Sequence, residues 1–308
     1  MSSIARKLVL SVVAVVLSVL AFGTTTFAWF TITNVSEVQP FESDIVTDNG
    51  IEVSLDGSTW VTSLTTEMID AYIAAQYPSG FVFNHVTTTT GHSNFSTLGT
   101  LGVTDDGTAS VLRLNLLFRS NNANAIEWTD VSLTGTTASW TSDVSFTRSS
   151  DVIGGSPVVS GGSIAVNPAN AMRISVLGNH ASDAVVVYEL PDGDNAGAYN
   201  SALGGDGVTP VDFSNLGVGD AGSYNYYFQK TGALISGTNA VVTAGTVTVI
   251  NSLNTQLVLH MTEDSTYDTT YWGQISIRIW FEGWDAEAYN SLLGRMITTS
   301  FTFEGTSV

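Results

Sequence analysis

Alternating apolar and polar residues, the pattern of half-buried β-strands, recur along most of the chain. The clearest example spans 274–282, where one face carries Ile275, Ile277, Ile279 and Phe281. The opposite face carries Gln274, Ser276, Arg278 and Trp280. Because a slip of one residue would exchange the two faces, the pattern predicts that the first set packs on the core and the second faces outward. The same reasoning, and one apolar run at 185–188, predicts strands at 51–55, 112–118, 172–176, 185–188, 246–249 and 297–303.

Two short segments have helical features instead. The first, 62–77, has four apolar residues at helical spacing, which are Met68, Ile69, Tyr72 and Ile73. Ser63 or Thr65 is its expected N-cap. The second begins at Asp285, a favourable N-cap residue, and ends at Gly294, a favourable C-cap.

Strands therefore dominate, and no repeating strand–helix–strand rhythm is present. We predict an all-β fold, a jelly-roll-type β-sandwich over 49–308 with two short helices. The Gly-, Ser- and Asn-rich stretches 149–163 and 192–223 are expected to be long surface loops.

The N-terminus has the layout of an export signal. Arg6 and Lys7 precede a long apolar stretch, and small residues lie before Trp29. This pattern predicts a signal peptide over 1–28, a hydrophobic helix that signal peptidase cuts between Ala28 and Trp29. The alternative is a retained leader that anchors the chain in a membrane. In either case the rest of the chain is expected to be secreted or on the extracellular cell surface.

An extended arm, 29–48, follows the leader. Phe30, Ile32 and Val38 share one face of a strand in this segment. Pro40 and an acidic stretch separate these residues from the predicted sandwich. The arm is therefore a candidate for pairing with an open sheet edge.

Charge and composition exclude several function classes. The chain of 308 residues has 28 acidic and 9 basic residues, and its formal charge is −19. Nucleic-acid binding needs clustered lysine and arginine, so a nucleic-acid partner is not expected. There is no cysteine, which excludes disulfides, thiolate metal sites and cysteine nucleophiles.

Motifs for catalysis or cofactor binding are absent or fail in context. The four histidines, His85, His92, His180 and His260, form no His-x-x-x-His pair. A Gly-x-Gly-x-x-Gly match at 217–222 lacks the strand before it and the helix after it that dinucleotide binding requires. The acidic loop at 192–197 begins like a calcium loop but has Leu203 where a bidentate glutamate is needed. We therefore expect no catalytic residues and no cofactor, with weak Ca²⁺ binding by acidic loops as the one exception considered.

Both ends of the chain resemble a known family. The leader ending Thr-Thr-Thr-Phe-Ala-Trp-Phe, the segment 49–60 and the segments 116–120 and 275–285 are similar to TasA/camelysin-like proteins. These are surface and biofilm-fibre proteins of bacteria, processed by a SipW-type signal peptidase. The resemblance implies a jelly-roll subunit whose mature N-terminal segment completes the sandwich of the next subunit, head to tail. Camelysin-like members are described as metalloproteases, and the chain has no motif that supports this activity.

These observations favour a non-enzymatic structural subunit of extracellular filaments or biofilm matrix, whose partner is another copy of itself. Phe30, Ile32 and Val38 are the expected polymer contacts. One alternative is a membrane-anchored adhesin that binds carbohydrate or calcium through 149–163 or 192–223. The other is a secreted, camelysin-like hydrolase.

Overall fold

The computed structural model describes residues 45–48, 50–81, 83, 85–88, 90–97, 110–147, 157–190, 226, 229–230, 250, 252–282 and 297–308. Several sequence predictions lie outside these residues. They are the leader 1–28, the arm up to residue 44, the strand 246–249, the helix 285–294 and the loop 192–223.

Within the described residues the protein is built mainly from strands. In chain order they are β1 (Ile45–Asp48), β2 (Ile51–Ser54), β3 (Ser63–Leu64), β4 (His85–Thr88), β5 (Phe95–Thr97), β6 (Leu112–Ser120), β7 (Ala125–Gly135), β8 (Ala138–Thr141), β9 (Phe146–Thr147), β10 (Pro157–Val158), β11 (Ser163–Val166), β12 (Met172–Gly178), β13 (Val186–Glu189), β14 (Gln256–His260), β15 (Thr262–Glu263), β16 (Tyr271–Glu282) and β17 (Ile297–Thr306). The helical elements are α1 (Thr66–Gln76) and two 3-10 turns, Pro168–Ala171 and Ser265–Tyr267. The all-β prediction is confirmed.

Two large sheets contain most of these strands. A five-stranded sheet has the order β14-β7-β17-β1-β3. An eight-stranded sheet contains β13-β12-β16-β4-β5, and on it β6 pairs with β16, β2 with β6, and β15 with β16. The pairings are antiparallel except for β1 with β17 and β4 with β16. Two small antiparallel pairs, β8 with β11 and β9 with β10, complete the described strands, so part of the loop predicted at 149–163 is a short strand.

The two large sheets share one hydrophobic core. Phe118 of β6 and Phe303 of β17 meet across it with ring centroids 5.5 Å apart. The β6 residues Leu112, Leu114, Leu116 and Phe118 are fully buried, as their alternation predicts. Each such side chain contributes about 1.5–3 kcal/mol on burial, so the spacing of apolar residues along β6 determines its core face.

The helix also forms where the pattern predicts it. Ile69 of α1 is buried. The Tyr72 hydroxyl accepts a hydrogen bond from Asn115 N within β6. The Tyr77 hydroxyl, just after the helix, donates to Val111 O just before β6. Thr65 occupies the N-cap position, although its side chain makes no capping hydrogen bond. Among the described helices, none has the length and apolar composition that a membrane crossing requires.

One prediction about β16 is wrong. Gln274 and Ser276 on its outer face are partly exposed, but the same face is covered farther along, where Trp280 is fully buried and Arg278 is only 9% exposed. The β4–β5 hairpin folds over this face and brings Phe95 to within 5.2 Å of Trp280, measured between ring centroids. A second small core of Val86, Phe95, Val111, Val187 and Trp280 results. Alternation along one strand predicts which face packs on the main core, but it does not predict whether another element covers the opposite face.

Candidate functional site

The predicted cleavage and polymer-contact residues lie outside the described part of the chain. They are Ala28, Trp29, Phe30, Ile32 and Val38. The end of the predicted arm is described, because residues 45–48 form β1. This strand pairs with β17 and β3 of the same chain, so the segment of the arm that remains for other contacts is 29–44.

In the part of the chain that the structure describes, β1 covers only part of one side of β17. On one side, β17 pairs with β7 from Ile297 to Thr306. On the other side, β1 pairs only with Phe301–Glu304. Among the described residues, 297–300 have no strand on this second side, and we refer to this stretch as the β17 notch. Ile297 and Thr299 point into the core, while Thr298 and Ser300 are half-buried. An extended segment lying in the notch would find backbone groups available for hydrogen bonding.

A buried charge cluster joins three strands of the other sheet. Arg173 of β12 donates from Nε (3.1 Å) and Nη2 (2.9 Å) to Glu189 Oε2 of β13. Its Nη1 lies 3.4 Å from Glu282 Oε2 of β16, which also accepts from Trp280 Nε1 at 3.1 Å. Arg173 and both glutamates are at most 3% exposed. We refer to Arg173, Glu189 and Glu282 as the β12 charge cluster.

Burial dominates the electrostatics of this cluster. It raises the pKa of Glu189 to about 7, against the attraction of Arg173 and with a further upward push from Glu282. Glu189 Oε1 has no hydrogen-bond partner among the described residues. The loss of solvation on burial outweighs the attraction of the guanidinium, and this explains why Glu189 holds its proton so strongly. The cluster is enclosed, so we assign it to stability rather than to ligand binding.

His92 is a buried histidine. It lies in the β4–β5 hairpin, and its Nδ1 is 2.8 Å from Ser175 Oγ of β12. Burial, reinforced by the positive charge of Arg278, lowers the pKa of His92 to about 3. The imidazole is therefore neutral at physiological pH and helps to hold the hairpin over the outer face of β16.

The other described histidine side chains meet at a corner of the molecule. His180 and Asp183 lie in the loop after β12, and His260 ends β14. One ligand atom from each lies within 4.8 Å of the other two. The imidazole centroids of His180 and His260 are 5.4 Å apart. We refer to these three residues as the histidine corner, and they are the described residues best suited to hold a metal ion.

Asp183 organises this corner. Its carboxylate is 1% exposed and accepts from His180 N (2.9 Å), His260 N (3.0 Å) and His260 Nδ1 (2.7 Å). Ser182 N donates to His180 Nδ1 at 3.2 Å. The carboxylate thus links the loop after β12 to the end of β14 and fixes the orientation of the His260 ring.

A glycine and an asparagine position the loop. A Cβ at Gly178 would clash with the Asp183 carboxylate and lie 2.5 Å from Val258 O, so only glycine permits this close approach. The next residue, Asn179, exchanges backbone and side-chain hydrogen bonds with Gln274 of β16. These two residues place His180 and Asp183 beside β14.

Sequence reasoning missed this corner because its members are far apart in the chain. The spacing His180-x-x-Asp183 after a strand is a weak local signal. His260 lies 77 residues beyond Asp183, and only the packing of β14 against the end of β12 brings it close.

Comparison with protein-family models, curated proteins and solved structures found no match for this chain. The resemblance to TasA/camelysin-like proteins stays a prediction, and the functional argument depends on the chain's own geometry.

Proposed function

We propose that this protein is an exported, non-enzymatic structural subunit that assembles head to tail into extracellular filaments or matrix. In this proposal a signal peptidase removes 1–28, and the two packed sheets form a jelly-roll-type sandwich. The arm beginning at Trp29 then pairs with the sheet of a neighbouring copy. The observation that supports this most directly is the β17 notch.

The physical argument concerns unpaired backbone groups. A sheet edge presents N–H and C=O groups that are more stable when they are hydrogen-bonded, and an added strand satisfies them. β17 has ten residues, and β1 pairs with four of them. No strand in the described part of the chain occupies the notch, and the arm offers an apolar face of Phe30, Ile32 and Val38 to pack with it.

The geometry of such a contact favours a polymer. The arm and the notch are different surfaces, so each copy offers one of each, and a head-to-tail contact propagates unless the rotation between copies closes a ring. Strand exchange of this kind needs no catalytic group, metal or nucleotide.

Charge opposes this assembly at low salt. Loss of the leader removes Arg6 and Lys7 and leaves a formal charge of −21 on each copy. Repulsion between copies is screened over about 8–10 Å at physiological ionic strength. We expect filament yield, followed by light scattering, to increase from low to physiological salt. Scattering that does not change across this titration would remove the role we give to charge.

The decisive variant is a deletion of 30–38, made in the full chain so that the leader and the predicted cleavage pair Ala28–Trp29 are both kept. We expect a secreted protein with native circular dichroism that stays monomeric on size exclusion and shows no filaments by electron microscopy. A triple substitution, Phe30→Ser, Ile32→Ser and Val38→Ser, should have the same effect without shortening the chain. The matched control, Thr31→Ala with Thr33→Ala, changes the opposite face of the arm and should still polymerise. Filaments of normal yield from the deletion variant would overturn the proposal.

A further inference from the structure

We propose that the histidine corner is a binding site for a divalent transition-metal ion of the Zn²⁺ type, which joins the two sheets at one corner. The protein ligands would be His180 and His260, with Asp183 holding the far nitrogen of His260 and water in the remaining positions. It is independent of the arm and of strand exchange.

The donor set defines the class of ion. Two imidazoles, one of them held by a carboxylate, are typical of sites for Zn²⁺ and neighbouring transition metals, whereas Ca²⁺ and Mg²⁺ prefer oxygen ligands alone. Both protein donors here are imidazole nitrogens, so the corner differs in kind from the acidic loops considered for calcium.

The orientation of His260 is that of a metal ligand with a carboxylate behind it. Because Asp183 accepts a hydrogen bond from His260 Nδ1 at 2.7 Å, the proton of the neutral ring lies on Nδ1 and the lone pair lies on Nε2. A carboxylate that holds the far nitrogen of an imidazole fixes its tautomer and raises its basicity as a ligand. The same carboxylate also accepts from the backbone amides of His180 and His260, so its role is to support the ligands from behind.

Stabilisation of the loop does not explain why the His180 ring lies where it does. The hydrogen bonds of Asp183 to the two backbone amides and to the His260 ring already stabilise the loop. The His180 ring is exposed, and among the described residues its hydrogen bond is the one from Ser182 N. Its ring nevertheless lies 5.4 Å from that of His260, centroid to centroid, where the ring can turn its nitrogen toward a shared ion.

The corner is also accessible. His180 is exposed, and the His260 side chain is 33% exposed, so an ion can enter from solvent without opening the core. His180 follows β12 of the eight-stranded sheet and His260 ends β14 of the five-stranded sheet. A bound ion would therefore connect the sheets, and because it binds only the folded chain it would raise the melting temperature.

The test uses the full chain, stripped with a chelator, dialysed and titrated with Zn²⁺ by calorimetry. A parallel titration with Co²⁺ reports ligand geometry through its visible absorption. We expect one ion per chain, a Co²⁺ spectrum of low coordination number and a higher melting temperature with Zn²⁺. His180→Ala is the principal variant, because the exposed ring can be removed without disturbing Asp183. It should weaken Zn²⁺ binding by at least about tenfold and abolish the thermal shift.

Three comparisons make the result decisive. His85→Gln, which removes a histidine from β4, should bind Zn²⁺ like the parent chain. His260→Gln should weaken binding as His180→Ala does. No binding heat and no Co²⁺ spectrum, or identical affinities for the parent chain and His180→Ala, would overturn the proposal, as would a Ca²⁺ response equal to that of Zn²⁺. Failure of this test leaves strand exchange unaffected, because no arm residue takes part.

Discussion

The two ends of β12 carry two polar clusters that differ in their surroundings. At its start, Arg173 and its glutamate partners are enclosed, and the cluster is assembled from strands of one sheet. Just beyond its end, His180 and His260 are open to solvent around one buried carboxylate, Asp183. Exposure to solvent therefore determines what each of these two polar clusters can do. The enclosed cluster contributes to stability and pH response, and the open one offers donors to a ligand.

The largest effect should come from removing the shared cation of the β12 charge cluster. Arg173→Met keeps the apolar stem and leaves Glu189 buried without its guanidinium. Breaking a buried pair in this way destabilises by about 3–5 kcal/mol. Urea unfolding of the variant and the parent measures the difference. A loss below about 1 kcal/mol would show that the enclosed cluster does not stabilise the sheet as we describe.

The next effect is a pH dependence that Glu189 controls. Its pKa is about 7 in the folded state, against an ordinary value of 4.5. The folded chain therefore binds this proton more tightly than the unfolded chain does, so the associated stability is complete below pH 4.5 and is lost as the pH rises through about 7. The loss is on the order of 3 kcal/mol.

Glu189→Gln isolates this contribution, because the amide keeps the shape and cannot ionise. We expect the parent to lose stability relative to the variant between about pH 5 and pH 8, measured by urea unfolding at each pH. His92 has a lowered pKa and gives stability the opposite slope below its ordinary pKa. It is present in both proteins and cancels in the difference. Parallel stability curves for the two proteins would contradict the pKa assigned to Glu189.

A smaller loss of stability is expected from substituting Gly178, the glycine against which Asp183 packs. Gly178→Ala places a methyl group against the Asp183 carboxylate and Val258 O. Overpacking of this kind costs about 1–3 kcal/mol, and it should also disturb the histidine corner. Thermal unfolding measures the first effect and Zn²⁺ calorimetry the second. Gly178 does not have a left-handed φ, so the cost there is that of the clash. Gly161→Ala, with φ +81° and nothing within 4 Å of the added carbon, measures the cost of backbone strain alone for comparison.

The smallest effect on stability should come from the open cluster without metal. His180→Ala in chelator-treated protein should change the free energy of unfolding by no more than about 0.5 kcal/mol, as is usual for exposed side chains. Urea unfolding checks this value beside Arg173→Met. A loss of several kcal/mol in the absence of any ion would mean that His180 is structural, and the contrast between the two clusters would disappear.

The part of the fold that sequence predicts is the part that short-range patterns determine. The core face of β6, the core face of β16 and the position of α1 follow from side-chain spacing, because each element buries one face against the shared core. The burial of Arg278 and Trp280 does not follow from spacing, since it depends on a hairpin from 85–97 that folds over them. The same limit applies to β1, whose place beside β17 joins residues from the two ends of the described chain.

The two polar clusters were beyond sequence reasoning for the same reason. Arg173, Glu189 and Glu282 look like ordinary polar positions on alternating strands until β12, β13 and β16 are paired. His180 and His260 are separated by 80 positions and share no motif. In both cases strand pairing, rather than local sequence, creates the chemistry.

Disulfide trapping tests the central claim, the pairing of one copy's arm with another copy's sheet. The chain contains no cysteine, so introduced cysteines report only their own contacts. One set of chains carries Thr298→Cys in the β17 notch, on the side of the sheet away from the core. A differently tagged set carries Thr31→Cys, Thr33→Cys or Glu37→Cys, on the arm face that would share this side. Ser265→Cys, exposed and distant from the notch in the chain, is the control for random collision.

After the two sets are mixed under assembly conditions and oxidised mildly, we predict covalent heterodimers joining an arm cysteine to Cys at position 298, and none with the Ser265→Cys control. Each disulfide requires Cα atoms within about 7 Å, so the productive arm position also gives the register. The contradictory result is equally specific. If the mixture yields no heterodimer while a single chain carrying both cysteines closes an internal disulfide, the arm lies on its own sheet and strand exchange does not occur.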